Sequence, residues 1–233
     1  MMQRWVRAEE RRGRDSGAVV RFWTAAGLGV AFGYIEAAVV VYLRQIFHPE
    51  GFTFPLADFA ASALYQRLLQ VEAWREAATI VLIWCGARLA GVNRRERFAY
   101  FLLLFALWDL FFYVWLKVLI GWPGSVMDWD ILFLIPMVWA SPIAAPVLVS
   151  LTLAAFAVVI LWRNRVGRGI RVRWTDWAGF CAAVVMVVLS FCIAGHHIRD
   201  ADFAKHFYWL LYGAGYVLGV GLFLRCLVQR PKS

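Results

Sequence analysis

Residues 33–44, GYIEAAVVVYLR, hold a glutamate and an arginine eight positions apart inside a long apolar run. A charge at the centre of a bilayer costs at least about 2.5–3.5 kcal/mol on insertion scales. Glu36 and Arg44 therefore need partners, an interior-facing position or, for Arg44, a route for its head to reach the interface. At 100° per residue the two side chains lie about 80° apart, on one broad helix face. Residues 109–117, DLFFYVWLK, repeat the arrangement with Asp109 and Lys117. A carboxyl in such a place can exchange a proton or neutralise a base, and the bases can neutralise acids or hold an anion.

The run EAWREAATIVL adds Glu72, Arg75 and Glu76. Glu72 and Glu76 are one turn apart, and Glu72 can also meet Arg75. Glu36, Asp109, Glu72 and Glu76 are thus the candidate binding or proton-exchanging acids. Arg44, Arg75 and Lys117 are the candidate anion-binding or ion-pairing bases. The alternative reading is structural, with buried ion pairs that fix helix register.

The stretch GHHIRDADFAKHF supplies His196, His197 and His206. With Asp200, or with Glu72 and Glu76, these histidines could form a nitrogen and oxygen metal site. Their spacing matches no metal motif: there is no H-E-x-x-H and no Glu-x-x-His. No cofactor is expected, and these three are the weak metal candidates. Ser141, Ser150 and Ser190 lie in apolar segments without a G-x-S-x-G context, and there is no phosphate-binding glycine loop. In GWPGSVMDWD (121–130), Trp122 and Trp129 read as interfacial residues, with a ligand-gating loop as the alternative. Asp130 reads as a helix cap.

The elements that must position these groups follow from hydropathy. Of 233 residues, 63% are hydrophobic, and the mean hydropathy is +0.66. A soluble domain runs nearer half apolar. The excess is gathered into runs of about 20 residues, the length that crosses a bilayer core as a helix. The reading is an all-α integral membrane protein with six spans, near 22–45, 71–91, 98–121, 142–162, 175–195 and 207–227. Residues 1–21 form a basic arm, 22–227 the transmembrane domain and 228–233 a tail.

The formal charge is +9. Its arginines cluster in the arm, at 94–97, at 163–173 and near the C-terminus, whereas Glu50, Asp58, Asp128, Asp130, Asp200 and Asp202 occupy the alternate loops. This alternation puts both termini in the cytoplasm of a bacterial-type inner membrane and explains the charge without nucleic acid. The four cysteines form no C-x-x-C pair and read as packed membrane residues.

Two segments do not fit plain hairpins between spans. Residues 54–70 are amphipathic and suit an external helix or an outward extension of span two. Residues 131–146 hold Pro136, Pro142 and Pro146. They predict a Pro-broken segment before helix 4, kinked or partly re-entrant. The 36–44 and 109–117 stretches align without gaps at an offset of 73 residues. They suggest a parallel duplication, with chance similarity of apolar runs as the rival. Gly29 with Gly33, and Gly215 with Gly219, form G-x-x-x-G pairs that could join spans one and six or dock a membrane-protein partner or a second copy.

Together these features imply a charged, outward-facing cavity between spans one, two and three that binds or moves a small polar or anionic solute, coupled or not to protons. A membrane enzyme using the same carboxylates on an amphiphilic substrate is one alternative. A non-catalytic subunit or assembly factor is the other. Membrane lipids are the certain environment in all three.

Overall fold

The computed structural model describes residues 2–55 and 63–229. The side chains of 2–15 and of Tyr65 lie outside that description, as do Asp58, Arg230 and Lys232 and the first part of the amphipathic 54–70 stretch. Among the described residues are six α-helices, α1 Met2–Phe47, α2 Ala63–Ala90, α3 Arg94–Ile120, α4 Ala144–Arg165, α5 Trp174–His196 and α6 Trp209–Val228, and a short 3-10 helix, Phe203–His206. Between α3 and α4 lie two short strands, β1 Trp129–Phe133 and β2 Trp139–Pro142.

Five stretches among the described residues are long and apolar enough to cross a membrane: Ser16–Phe47, Arg94–Ile120, Ala144–Arg165, Trp174–His196 and Phe203–Val228. Only 22% to 33% of their most apolar windows is buried inside the protein. The rest, including Leu210 and Trp23, faces outward, an apolar surface far beyond what a soluble monomer exposes. The chain is therefore a polytopic membrane bundle. The sixth helix, α2, is not in this set; Glu72, Arg75, Glu76 and Arg88 interrupt its apolar run. It begins at Ala63, so residues 63–70 extend the second helix rather than form a separate one.

Inter-helix contacts give the threading. Arg21 pairs with Glu96, Gly29 packs on Leu107, and Gly33 on Trp108 and Phe111, so α1 and α3 run parallel. Arg75 meets Glu36 while Gly86 meets Leu28, so α2 is antiparallel to α1. Asp109 meets Ser150 while Glu96 meets Asn164, so α4 is antiparallel to α3. Gly179 meets Leu222 and Gly215 meets Ala183, so α5 and α6 are antiparallel. The glycine pairs therefore tie α1 to α3 and α6 to α5. The expected joining of spans one and six is not what they do, and both faces are occupied within the chain.

The Pro-broken segment is not a kinked helix. It is an antiparallel hairpin, with Trp129 opposite Pro142 and Asp130 opposite Ser141, and an irregularity between Ile131 and Phe133. The fold is thus helical apart from this hairpin. Proline has no amide to donate, so Pro136 falls between the strands and Pro142 at a strand end. Pro146 sits in the first turn of α4, where an amide would have no helical partner. The start of α4 is anchored from the preceding turn: Ile143 N donates to Asp128 O at 2.9 Å and Ala144 N to Val126 O at 2.7 Å.

The hairpin lies against α5. A β-carbon on Gly195 would stand 1.9 Å from the carbonyl oxygen of Val138, so only a residue without a side chain fits there. Two apolar clusters fix these elements. One, around Tyr100, Leu104, Trp108 and Leu161, joins α1 to α4. The other, around Phe191, Phe207 and Tyr212, holds α4, α5 and α6 beneath Trp129 and Trp139 of the hairpin.

Candidate functional site

A cavity of about 150 Å³ opens where the C-terminal end of α1, the start of α2, the middle of α3 and strand β1 meet. Glu36, Arg44, Glu72, Arg75, Glu76 and Asp109 all line it. Six of the seven acids and bases singled out from the sequence thus converge, from three helices.

Their pairings are specific. Arg75 lies between two acids, donating from Nη1 to Glu36 and from Nε and Nη2 to Glu72, the Nε bond being 2.8 Å. It pins α2 to α1. Arg44 does not reach out to an interface. It is 8% exposed and donates to Asp130 Oδ1 at 3.2 Å. Its guanidinium lies over the rings of Trp122 and Phe52, at 3.8 and 4.3 Å from their centroids, a cation–π arrangement that offsets part of its desolvation.

Lys117 is the exception. It is exposed and donates to Gly121 O at 3.0 Å and Pro123 O at 2.8 Å. Gly121 is the left-handed cap of α3, at φ 71°. Lys117 therefore satisfies carbonyls at a helix C-terminus, where a cation is favoured. It does not neutralise Asp109. That carboxylate accepts instead from Ser150 Oγ on α4, at 2.8 Å.

Glu76 is 6% exposed, and both its oxygens accept from Leu134 N, at 3.1 and 2.9 Å. The helix thus latches the hairpin through the backbone. Among the described residues neither Glu76 nor Asp109 makes an ion pair.

Three cavity residues were not singled out by sequence reasoning, or were given another role. Asp130 was expected to cap a helix. It lies on β1, 3% exposed, and its Oδ2 has no hydrogen-bond partner. Burial pushes its carboxyl up to about 6, with Arg44 pulling in the other direction. The polar alternation of MDWD was the available signal. Trp108, next to Asp109, is 5% exposed, and its indole N–H also lacks an acceptor. His48 also lines the cavity; burial and then the neighbouring Arg44 lower its pKa, which favours the neutral ring.

The aromatic residues of the 121–130 loop do more than mark an interface. Trp122 covers Arg44. Trp129 packs on Phe203 and Phe207, with ring centroids 4.9 and 6.2 Å apart, which ties the hairpin to the α5–α6 connection.

That connection carries a second cluster. His197, Asp200 and His206 bring ligand atoms within 4.8 Å of one another, a set that could hold a metal ion. His197 Nδ1 and Asp200 Oδ2 are 2.6 Å apart. The two imidazoles are stacked, with centroids 3.7 Å apart and planes at 13°. His196 does not join this set, and none of its members lines the cavity with Glu72 and Glu76. The cysteines are all free; Cys226 is buried and Cys181 exposed.

Comparison with protein-family models, with curated proteins and with solved structures gave no match.

Proposed function

We propose that this protein is a six-span bacterial-type inner-membrane protein with both termini cytoplasmic, whose cavity binds or moves a small polar solute and exchanges protons through Glu76 and Asp109. One observation carries the reading: these two acids line a cavity without a basic partner, while each cavity arginine is already matched by a carboxylate. A register device needs matched pairs and no cavity; a proton-exchanging site needs acids that lack a fixed counter-charge.

Six crossings are supported by α2. It is antiparallel to α1, meets Glu36 near one end through Arg75, and turns into α3 at Gly91, which packs on Arg97. It therefore covers much of the height that its neighbours cover. The orientation rests on the arginines. The α1 start, the α2–α3 turn, the α4–α5 loop and the α6 end share one end of the bundle, and arginine-rich ends stay in the cytoplasm. The cavity then opens on the opposite side. Fewer observations support the membrane-enzyme alternative, since the His197 cluster and the cavity carboxylates are separate.

Two measurements test the proposal. In a cysteine-free background, Leu69→Cys at the cavity wall should react with a membrane-impermeant thiol reagent only from the non-cytoplasmic side, and Arg95→Cys only from the cytoplasmic side. Infrared difference spectra on a pH step should show carboxyl bands that Glu76→Gln and Asp109→Asn each diminish. Reversed labelling would overturn the orientation. Spectra untouched by either substitution would overturn the proton exchange.

A further inference from the structure

The chemistry of the cavity wall also selects among solutes. Five carboxylates line it, Glu36, Glu72, Glu76, Asp109 and Asp130, against two arginines. With all five ionised and His48 neutral, this leaves an excess of three negative charges. Arg75 is shared by two acids and Arg44 is paired with Asp130 beneath two rings. An anion entering here would meet bases already neutralised and acids that repel it. A cation would meet Glu76 and Asp109.

The wall also limits what kind of cation fits. Trp108, Phe112 and Tyr113 stand beside Asp109, and apolar surface dominates elsewhere. A space of about 150 Å³ suits a benzene-sized molecule, roughly six non-hydrogen atoms. A bare metal ion would leave most of that space and the aromatic faces unused.

We infer that the cavity takes a small organic cation, a protonated amine of about six non-hydrogen atoms. The inference rests on the solute-binding reading above and names its substrate class.

Isothermal titration calorimetry on the full-length protein in lipid nanodiscs tests it, with 3-amino-1-propanol, n-butylamine (both as ammonium salts) and sodium butyrate as probes. Both amines are expected to give saturable heats, and butyrate none. Asp109→Asn and Glu76→Gln should each weaken both amines at least tenfold, while Asp176→Asn at the opposite end of the bundle leaves them unchanged. Thermal unfolding of each variant separates a lost site from a lost fold, and if Glu76→Gln fails to fold, Asp109→Asn carries the test. Butyrate binding as well as the amines, no binding of any probe, or amine binding unaffected by Asp109→Asn in a folded protein would each overturn the inference. In any of these cases carboxyl bands that still respond to pH would leave the proton-exchange reading standing, so the two failures are distinguishable.

Discussion

At the arginine-rich end of the bundle, Glu96 ties three helices together. It pairs with Arg21 of α1 at 3.8 Å, accepts from Asn164 of α4 at 2.9 Å and accepts from Val92 N at 3.1 Å. Asp176, another acid there, pairs with Arg225 and accepts from Arg173 N at 2.8 Å in the first turn of α5. These acids cap helix starts and close on nearby donors, which is how charge stabilises a helix terminus. At the opposite end, acids sit mid-helix or on a strand, lean on one another's bases and leave space between them. Charge at the first end finishes helices. Charge at the second end maintains a cavity, and two of its acids have no counter-charge.

The same contrast runs through the two similar stretches on α1 and α3. Glu36 and Asp109 both reach the cavity, and the helices run parallel, as a duplication requires. The bases diverge. Arg44 is buried under Trp122 and Phe52, whereas Lys117 stays outside on the α3 cap. Likeness in sequence spacing here does not carry likeness of role.

Substitutions at the two ends sharpen this comparison. Arg75→Met should cost the most, about 3 kcal/mol, because it strands Glu36 and Glu72 in a partly buried site. Thermal unfolding in detergent measures it, and adding Glu36→Gln and Glu72→Gln should restore much of the loss. A single variant as stable as the parent would mean that the acids do not depend on this base. Gly195→Ala follows, at about 2 kcal/mol, since the hairpin must move off α5. Amine heats should fall with it, whereas a variant with unchanged unfolding and binding would contradict the close approach of Val138.

Asp176→Asn should cost about 1 kcal/mol, because asparagine still accepts from the helix start while the Arg225 pair is lost. It should leave the carboxyl infrared bands of the cavity intact, and a change in them would blur the distinction between the ends. Lys117→Met is the mildest, within about 0.5 kcal/mol. It should not alter amine affinity. A tenfold effect would return Lys117 to the cavity side of the comparison.

The sequence was sufficient for the helical membrane class, because runs of about 20 apolar residues have no other stable home. It also marked Glu36, Arg44, Glu72, Arg75, Glu76 and Asp109, which line one cavity, as charges that need a partner or a polar space. Their partners were another matter. Arg44 meets an aspartate 86 residues away, Glu76 an amide 58 away and Asp109 a hydroxyl 41 away. No local pattern encodes contacts at that separation; they exist only once α2, α4 and the hairpin dock. The hairpin itself was hidden for a similar reason. An apolar, proline-rich segment does not declare its hydrogen-bond partners, and tertiary packing against Gly195 and Glu76 decided that it would pair with itself as strands and complete the fourth wall of the cavity.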